Sequence, residues 1–349
     1  MKSMVKKVIY FTQRWDTNIG NLFIDIGALH SLYRVAGEVR KAGEELYIQP
    51  VGTLNLWSNW LFLNRKISIL KYIAKPFLKW ELFKKYSEKC RSSIVASPNI
   101  NRLNLAEIIQ ADYAVLSGCI LTPLHFQTFD KLLKLLKRRN IDIIFYGVGG
   151  ETYSDYEVKM VRKKLKEIRP RFILTRDTTA YELYSDLAED SFDGLDASFY
   201  VNNIVNTVMT KSSNSTVDIN PFVVLTFDNP ANTRIERFLE KDFREKGFKV
   251  VTCSHIPYSK PSEKFISESP FDYLLLYSQA EEVHSDRVHA CVATLSFGGR
   301  CRLYNKTPRA NLLLKACIGD ITESVCPSSD NLNQLKKKQI DTLFQILAN

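Results

Sequence analysis

Short apolar runs rich in β-branched and aromatic residues alternate with helix-period segments along most of this 349-residue chain. Residues 5–11 read as a strand bounded by Thr12-Gln13, and Asn18-Ile19-Gly20-Asn21 as a turn. Leu22, Ile26, Leu29, Leu32, Tyr33 and Ala36 then recur at helical spacing. Residues 113–116 form a second buried-looking strand ending at Ser117-Gly118, and 126–136 an amphipathic helix. Residues 142–146 form another strand, closed by Gly147-Val148-Gly149-Gly150. Helix 156–168, strand 172–175 and helix 178–187 follow. Alternation of this kind specifies a parallel sheet covered by helices on both faces. Ligands of such sheets bind beyond the carboxyl ends of the strands. Asn18, Gly118, Gly147 and Arg176 all follow predicted strands and are expected along one edge.

The alternation pauses at residues 206–220, where Thr, Ser, Asn and Lys replace apolar residues, and the segment reads as a linker. A second α/β unit follows: strand 222–227, helix 233–246, strand 248–253, helix 271–279, strand 282–284, helix 287–297, strand 301–304 and helix 309–318. Length points the same way, since 349 residues exceed a usual single core. The expected fold is α/β: two doubly wound, Rossmann-like parallel-sheet domains with a central cleft, in a glycosyltransferase-B-like arrangement. The expected division is 1–205, linker 206–220 and 221–349.

Within the second unit, Ser285-Asp286-Arg287-Val288-His289-Ala290 opens an apolar helix. Ser285 or Asp286 is placed to cap it. The free N–H groups and dipole of that end favour an anion. A guanidinium there adds a bidentate partner for phosphate or carboxylate, and a His beside it can move a proton near neutral pH. Arg287 and His289 are the expected catalytic pair; His284, on the predicted strand, reads as structural.

The same residues carry a family resemblance. Val283 to Ala290 resembles the Arg-Leu-His signature of the polysaccharide pyruvyl transferase family, with Val288 in place of Leu. Asn18-Ile19-Gly20-Asn21 resembles the family's N-terminal Asn-x-Gly-Asp/Asn turn, and Leu174-Thr175-Arg176-Asp177 its mid-chain Arg-Asp motif. Asp196-Ala197-Ser198-Phe199 and Tyr304-Asn305-Lys306 resemble two further strand-end segments, in the family's order. The resemblance implies a GT-B-like fold, with the His and Arg of the signature acting in catalysis and in binding phosphoenolpyruvate. Arg287 would grip the donor phosphate or carboxylate, and His289 would serve as general acid or base. It also implies a saccharide acceptor, lipid-linked in many members. The implied reaction moves the pyruvyl unit onto two hydroxyls as a cyclic ketal, and this scheme requires no metal and no cofactor.

The expected substrate-binding residues are Arg176, Asn18, Gly20, Asn21, Gly149 and Lys306. Arg176 projects from a strand end, either as a second anion ligand or as an interdomain salt bridge, while Asp177 or Thr178 caps the next helix. The Asn18–Asn21 turn is either a close approach to ligand or an ordinary turn capped by Asn21. The amide at Asn21, where many members have Asp, cannot act as a base. The Gly149 loop reads as an anion cradle or a plain turn. Lys306 and Arg309 suit a diphosphate or a solvated loop.

Residues 54–91 break the pattern. Trp57, Trp60, Phe62, Tyr72, Phe77, Trp80, Phe83 and Tyr86 interleave with nine Lys and Arg against Glu81 and Glu88. This composition suits a membrane interface or a core-packing helix pair with a basic face. The net charge of +10 attracts phosphates, acidic glycans, anionic lipid or nucleic acid, but no nucleic-acid-binding motif accompanies it. Seven cysteines without a C-x-x-C pair disfavour zinc or a disulfide framework. With neither signal peptide nor membrane span in view, a cytoplasmic protein is expected, peripheral to the inner face of the membrane. Walker A, H-E-x-x-H and G-x-S-x-G motifs are absent, as is a Glu pair seven apart in the second unit. The competing readings are a B-type glycosyltransferase using a nucleotide-sugar donor and a non-catalytic glycan-assembly tether.

Overall fold

The computed structural model describes residues 5–13, 18–53, 104–204, 221–256 and 263–348. Strand β1 (Val5–Thr12) buries Val8, Ile9, Tyr10 and Phe11 completely. A strand buried on both faces needs a helical layer on each side. Helix α1 (Ile19–Lys41) begins one such layer. Asn18 caps it by accepting from Gly20 N, and Arg40 and Lys41 lie in its last turn, where cations suit the dipole. Strands β2 (Glu45–Gly52) and β3 (Tyr113–Gly118), helix α2 (Pro123–Arg138), strand β4 (Asp142–Val148) and helix α3 (Asp155–Ile168) continue the unit. Strand β5 (Phe172–Thr175), helix α4 (Thr178–Tyr184) and strand β6 (Asp190–Asp193) complete it. The strands run parallel in the order β2-β1-β3-β4-β5-β6. The order reverses between β1 and β3, so the loops after those strands part and leave a crevice.

The second sheet is built from β7 (Phe222–Thr226), β8 (Lys249–Cys253), β9 (Glu282–Ser285), β10 (Arg300–Leu303), β11 (Cys317–Ile318) and β12 (Ser324–Pro327). Their order is β11-β12-β10-β9-β7-β8, with β8, β7, β9 and β10 parallel and the β12–β11 edge antiparallel. Helices α5 (Thr233–Glu245), α6 (Pro270–Gln279) and α7 (Val288–Ser296) connect the parallel strands. This sheet reverses between β7 and β9. The two Rossmann-like units expected from the alternation are present.

One predicted helix is not. Residues 309–318 form a 3₁₀ turn (Pro308–Leu313) and the short strand β11 instead of a helix. Leu312, Leu313 and Ala316 are buried. Their apolar spacing serves a core-facing reversal that brings β11 antiparallel to β12, with Gly319 at φ +106° ending the strand. Residues 54–91 and 206–220, singled out in the sequence, lie outside the described residues. Among the described residues no helix is long and apolar enough to cross a membrane.

Apolar packing joins the units. Ile19 and Phe23 of α1, with Leu195, Phe199 and Val201 after β6, share a core with Val224, Val283, Val288, Ala290 and Cys291 of the second unit. Ile19 N donates across the boundary to His255 O at 3.3 Å. The last helix, α8 (Ser329–Ala348), returns to the first sheet, where Ile340, Leu343 and Leu347 pack with Val8, Tyr10, Ile144 and Leu174. Gln339 secures it. Its Oε1 accepts from Leu195 N at 2.7 Å, and its Nε2 donates to Tyr146 OH at 3.1 Å. Replacing it with an apolar residue strands the buried Leu195 N–H and removes one of the partners of Tyr146 OH. Gln339→Leu is expected to lower the unfolding free energy in urea by about 1–3 kcal/mol; a loss inside measurement error would remove the clasp from the fold's stability.

Candidate active site

The crevices at the two reversal points face one another and form a cavity of about 380 Å³. Its second-unit wall starts where β9 ends. Ser285 Oγ donates to Thr226 O at 2.9 Å and accepts from Arg287 N at 2.8 Å. Asp286 turns back to the loop after β7 and accepts from Asp228 N, Asn229 N and Asn232 Nδ2 at 2.9–3.1 Å. Neither residue caps α7, contrary to expectation, because these contacts occupy them. Arg287 itself stands at the N-cap, with no side-chain capping bond.

Arg287 Nε donates to Asp228 Oδ2 at 2.6 Å, and among the described residues its Nη atoms have no protein partner. Asp228 also accepts from Ser254 Oγ at 2.5 Å and His255 N at 3.2 Å. Burial opposes its charge, but Arg287, Ser254 and His255 outweigh it and hold its carboxyl below the ordinary value. The guanidinium is thus fixed at one edge, with the other edge free toward the cavity.

His289, the second residue of α7, reaches the first unit. Its Nε2 is buried 3.7 Å from Asp196 Oδ2. Its Nδ1 lies against Gly20, where a Cβ would stand only 2.8 Å away. Gly20 therefore lets the start of α1 approach the imidazole, and no other residue fits without moving the ring. A carboxylate facing Nε2 favours the tautomer protonated there, leaving Nδ1 as the nitrogen beside Gly20.

Asp196 is fully buried. Its Oδ1 accepts from Ser198 N at 2.9 Å and Ser198 Oγ at 2.5 Å, and its Oδ2 from Arg176 Nη1 at 3.1 Å. Burial would raise its carboxyl, yet His289, Arg176 and Ser198 hold it well below the ordinary value. Arg176 follows β5, as predicted, and Asp177 caps α4 through Ala180 N. The Arg176 side chain, however, is only 1% exposed. Its ion pair lies within the first unit, so it is not an interdomain bridge; it lines the cavity, and its buried Nε has no partner among the described residues. Its Nη2 donates to Gly150 O at 3.4 Å. Gly149, where a Cβ would sit 2.6 Å from Arg176 Nε, makes room for that guanidinium and does not line the cavity.

Asn18, Gly20, Asn21, Arg176, Arg287 and His289 converge on the cavity wall. Asn18, not Asn21, caps α1, and its Nδ2 donates to Asn21 Oδ1 at 3.4 Å. Lys306 is exposed and lies outside the lining, which takes Asn305 and Arg309 from the same loop. His284 is turned to Tyr304 OH at 3.1 Å and to Glu282. The wall also includes Cys119, His125 and His255, which no sequence signal marked, and Glu151, which follows the Gly147–Gly150 loop. Burial pushes both His125 and His255 down to about 3, so they are neutral near pH 7. Asp196 lay within a quoted motif, but nothing in the sequence paired it with Arg176 and His289. Among the described residues no group of three or more His, Cys, Asp or Glu is arranged to hold a metal ion.

Two Rossmann-like domains enclosing a cleft define a GT-B-like protein, and solved structures agree. The UDP-GlcNAc 2-epimerase of Neisseria meningitidis, bound to UDP-GlcNAc, is 13% identical with a TM-score of 0.50, over 99% of this chain and 94% of that one. MnaA of S. aureus, in a co-structure with UDP, is 13% identical with a TM-score of 0.50, over 98% and 90%. At such identity the likeness is one of fold. No curated protein matches the sequence. Residues 27–305 match the family model of polysaccharide pyruvyl transferase, so the chain belongs to that family and is a transferase.

The Asp196 geometry makes a stability prediction. A carboxyl depressed by folding contributes stability above its unfolded value, near pH 4, and loses it as pH falls through the folded value. Asp196→Asn leaves Arg176 buried and unpaired, and is expected to cost about 3–5 kcal/mol at pH 7. Urea melts should show this gap narrowing below about pH 4. A gap that is constant down to acid pH would mean that Asp196 is not the depressed group.

Proposed function

We propose that this transferase carries the pyruvyl unit of phosphoenolpyruvate to two hydroxyls of a saccharide, releasing phosphate and closing a cyclic ketal in the cleft. The observation that carries the reading is the pairing of Arg287, clamped at Nε by Asp228, with His289, backed by the buried Asp196. Arg287 binds an anionic group of the donor with its Nη edge. The imidazolium of His289 delivers its Nδ1 proton to the methylene carbon, converting it to a methyl group and leaving an oxocarbenium-like centre at C2. A first acceptor hydroxyl adds there and gives its proton to the neutral imidazole. A second hydroxyl then displaces phosphate, whose oxygens take up the last proton. Asp196 holds the ring in one orientation throughout, and Arg176 keeps Asp196 ionised. Asn18 and Asn21 offer amides to the saccharide across the cavity.

Phosphoenolpyruvate is expected to raise the melting temperature of the protein, because a ligand of the native state stabilises by mass action. UDP-GlcNAc should raise it less; the reverse ranking would favour a nucleotide-sugar glycosyltransferase. His289→Ala should retain that shift and lose about 10²–10⁴-fold in turnover. Arg287→Lys should be nearly as damaging to binding as Arg287→Ala, since an ammonium cannot replace the fork.

We further propose that residues 54–91, with their interleaved aromatic and basic side chains, dock on anionic lipid that presents a lipid-linked acceptor. Co-sedimentation with phosphatidylglycerol vesicles should then fall as salt is raised, because attraction is screened within about 10 Å at 0.1 M. Equal binding to neutral vesicles, or none to either, would reject the docking.

A further inference from the structure

Resting on the phosphoenolpyruvate reading, we propose that Arg309 is the second guanidinium of the donor site, held by Glu151 until the donor's anion replaces that carboxylate. Arg309 begins the 3₁₀ turn of the second unit and lines the cavity together with Arg287 and His289. Its guanidinium crosses the cleft. Nη2 donates to Glu151 Oε1 at 3.1 Å and lies 3.4 Å from Cys119 Sγ, both in the first unit. Its Nε is buried and, among the described residues, has no partner. A buried N–H without an acceptor is costly, and here it belongs to a cation at a cavity wall. An incoming oxyanion supplies the missing acceptor.

The donor's chemistry requires such a group. Phosphoenolpyruvate carries its phosphate and its carboxylate on one carbon, C2, and the Nη edge of Arg287 can grip one of them bidentately. Arg176, the other arginine of the wall, engages Asp196 through Nη1 and Gly150 O through Nη2; only its Nε is without a partner among the described residues, and with its side chain 1% exposed it offers the donor no open fork. Glu151 is a replaceable partner. Its side chain is 59% exposed, and exposed ion pairs are weak. The exchange also has a direction. Glu151 sits in the loop after β4, whose backbone is tied down by Glu157 accepting from Glu151 N at 2.7 Å. The loop therefore stays while the carboxylate swings away, and the donor takes its place between the two units.

Titration calorimetry of the full chain with phosphoenolpyruvate tests this. Arg309→Gln should weaken binding about tenfold to hundredfold, the usual range for a lost charged hydrogen bond. Glu151→Gln should tighten it about twofold to fivefold, since a competing carboxylate is gone. That gain should vanish in the double variant. A merely structural salt bridge gives another pattern: both single variants lower the melting temperature and neither moves donor affinity. Wild-type affinity in Arg309→Gln, or weaker binding in Glu151→Gln, overturns the assignment. Glu151 is exposed, so its variant reads the proposal even if Arg309→Gln folds poorly. If the wild type binds UDP-GlcNAc and not phosphoenolpyruvate, the donor reading falls. Arg309 then stands as the anion ligand only if Arg309→Gln loses the nucleotide sugar.

Discussion

A single buried carboxylate, Asp196, organises the cleft. An ion taken out of water survives only where fixed donors replace its hydration. Ser198 fills one oxygen, Arg176 engages the other, and His289 of the opposite unit faces that second oxygen. Three segments far apart in the chain are held by this one requirement. The loop after β5 must deliver a guanidinium, the segment after β6 must turn its backbone N–H inward, and α7 must present an imidazole. The buried cation of Arg176 is affordable only beside that anion, so each charge accounts for the other. The setting of His289 is thereby coupled to the packing of the two units against each other.

That packing is apolar and centred on the start of α1. Ile19 and Phe23 sit in the core of the second unit while later residues of the same helix cover the first sheet. One helix thus belongs to both cores, and its N-terminal turn lies in the cleft wall. Gly20 is the point of nearest approach to His289. The Asn18-to-Asn21 turn therefore packs the backbone of Gly20 against the imidazole of His289, besides connecting strand to helix. Opposite it, Asp228 does for Arg287 what Asp196 does for His289: a shielded carboxylate fixes a cavity-lining side chain from behind, leaving its other edge to the cavity.

The alternation of apolar strands and helix periods was legible because it follows from local geometry. A strand buried on both faces must be apolar along its length, and a crossover helix must show its 3.6-residue stripe. The same local logic located the carboxyl-end turns, and so Asn18, Gly20, Arg176, Arg287 and His289. It failed where an apolar stripe served a different purpose. Residues 309–318 carry helix-like spacing, yet Leu312, Leu313 and Ala316 face the core from a 3₁₀ turn that reverses the chain for β11. It failed also for caps: Ser285 and Asp286 have the right chemistry for α7, but the end of β7 and the loop after it offer them better partners.

The chain by itself determined two α/β units, the edge where a ligand would meet them, and the Arg-Val-His signature of the family. Only the tertiary structure decided which charges are free to act. Arg176 and Arg287 look alike in sequence, each after a strand and before a helix. Arg176 is buried against Asp196, 20 residues away, while Arg287 is tethered at one edge by Asp228, 59 residues away, and stays open at the other. Lys306 and Arg309 share a loop, and the fold turns Arg309 to the cavity and Lys306 to solvent. Partner choice among buried ions is a long-range property. It depends on which carboxylate the folded chain brings within hydrogen-bonding distance after water has left, and no local pattern of residues encodes that distance.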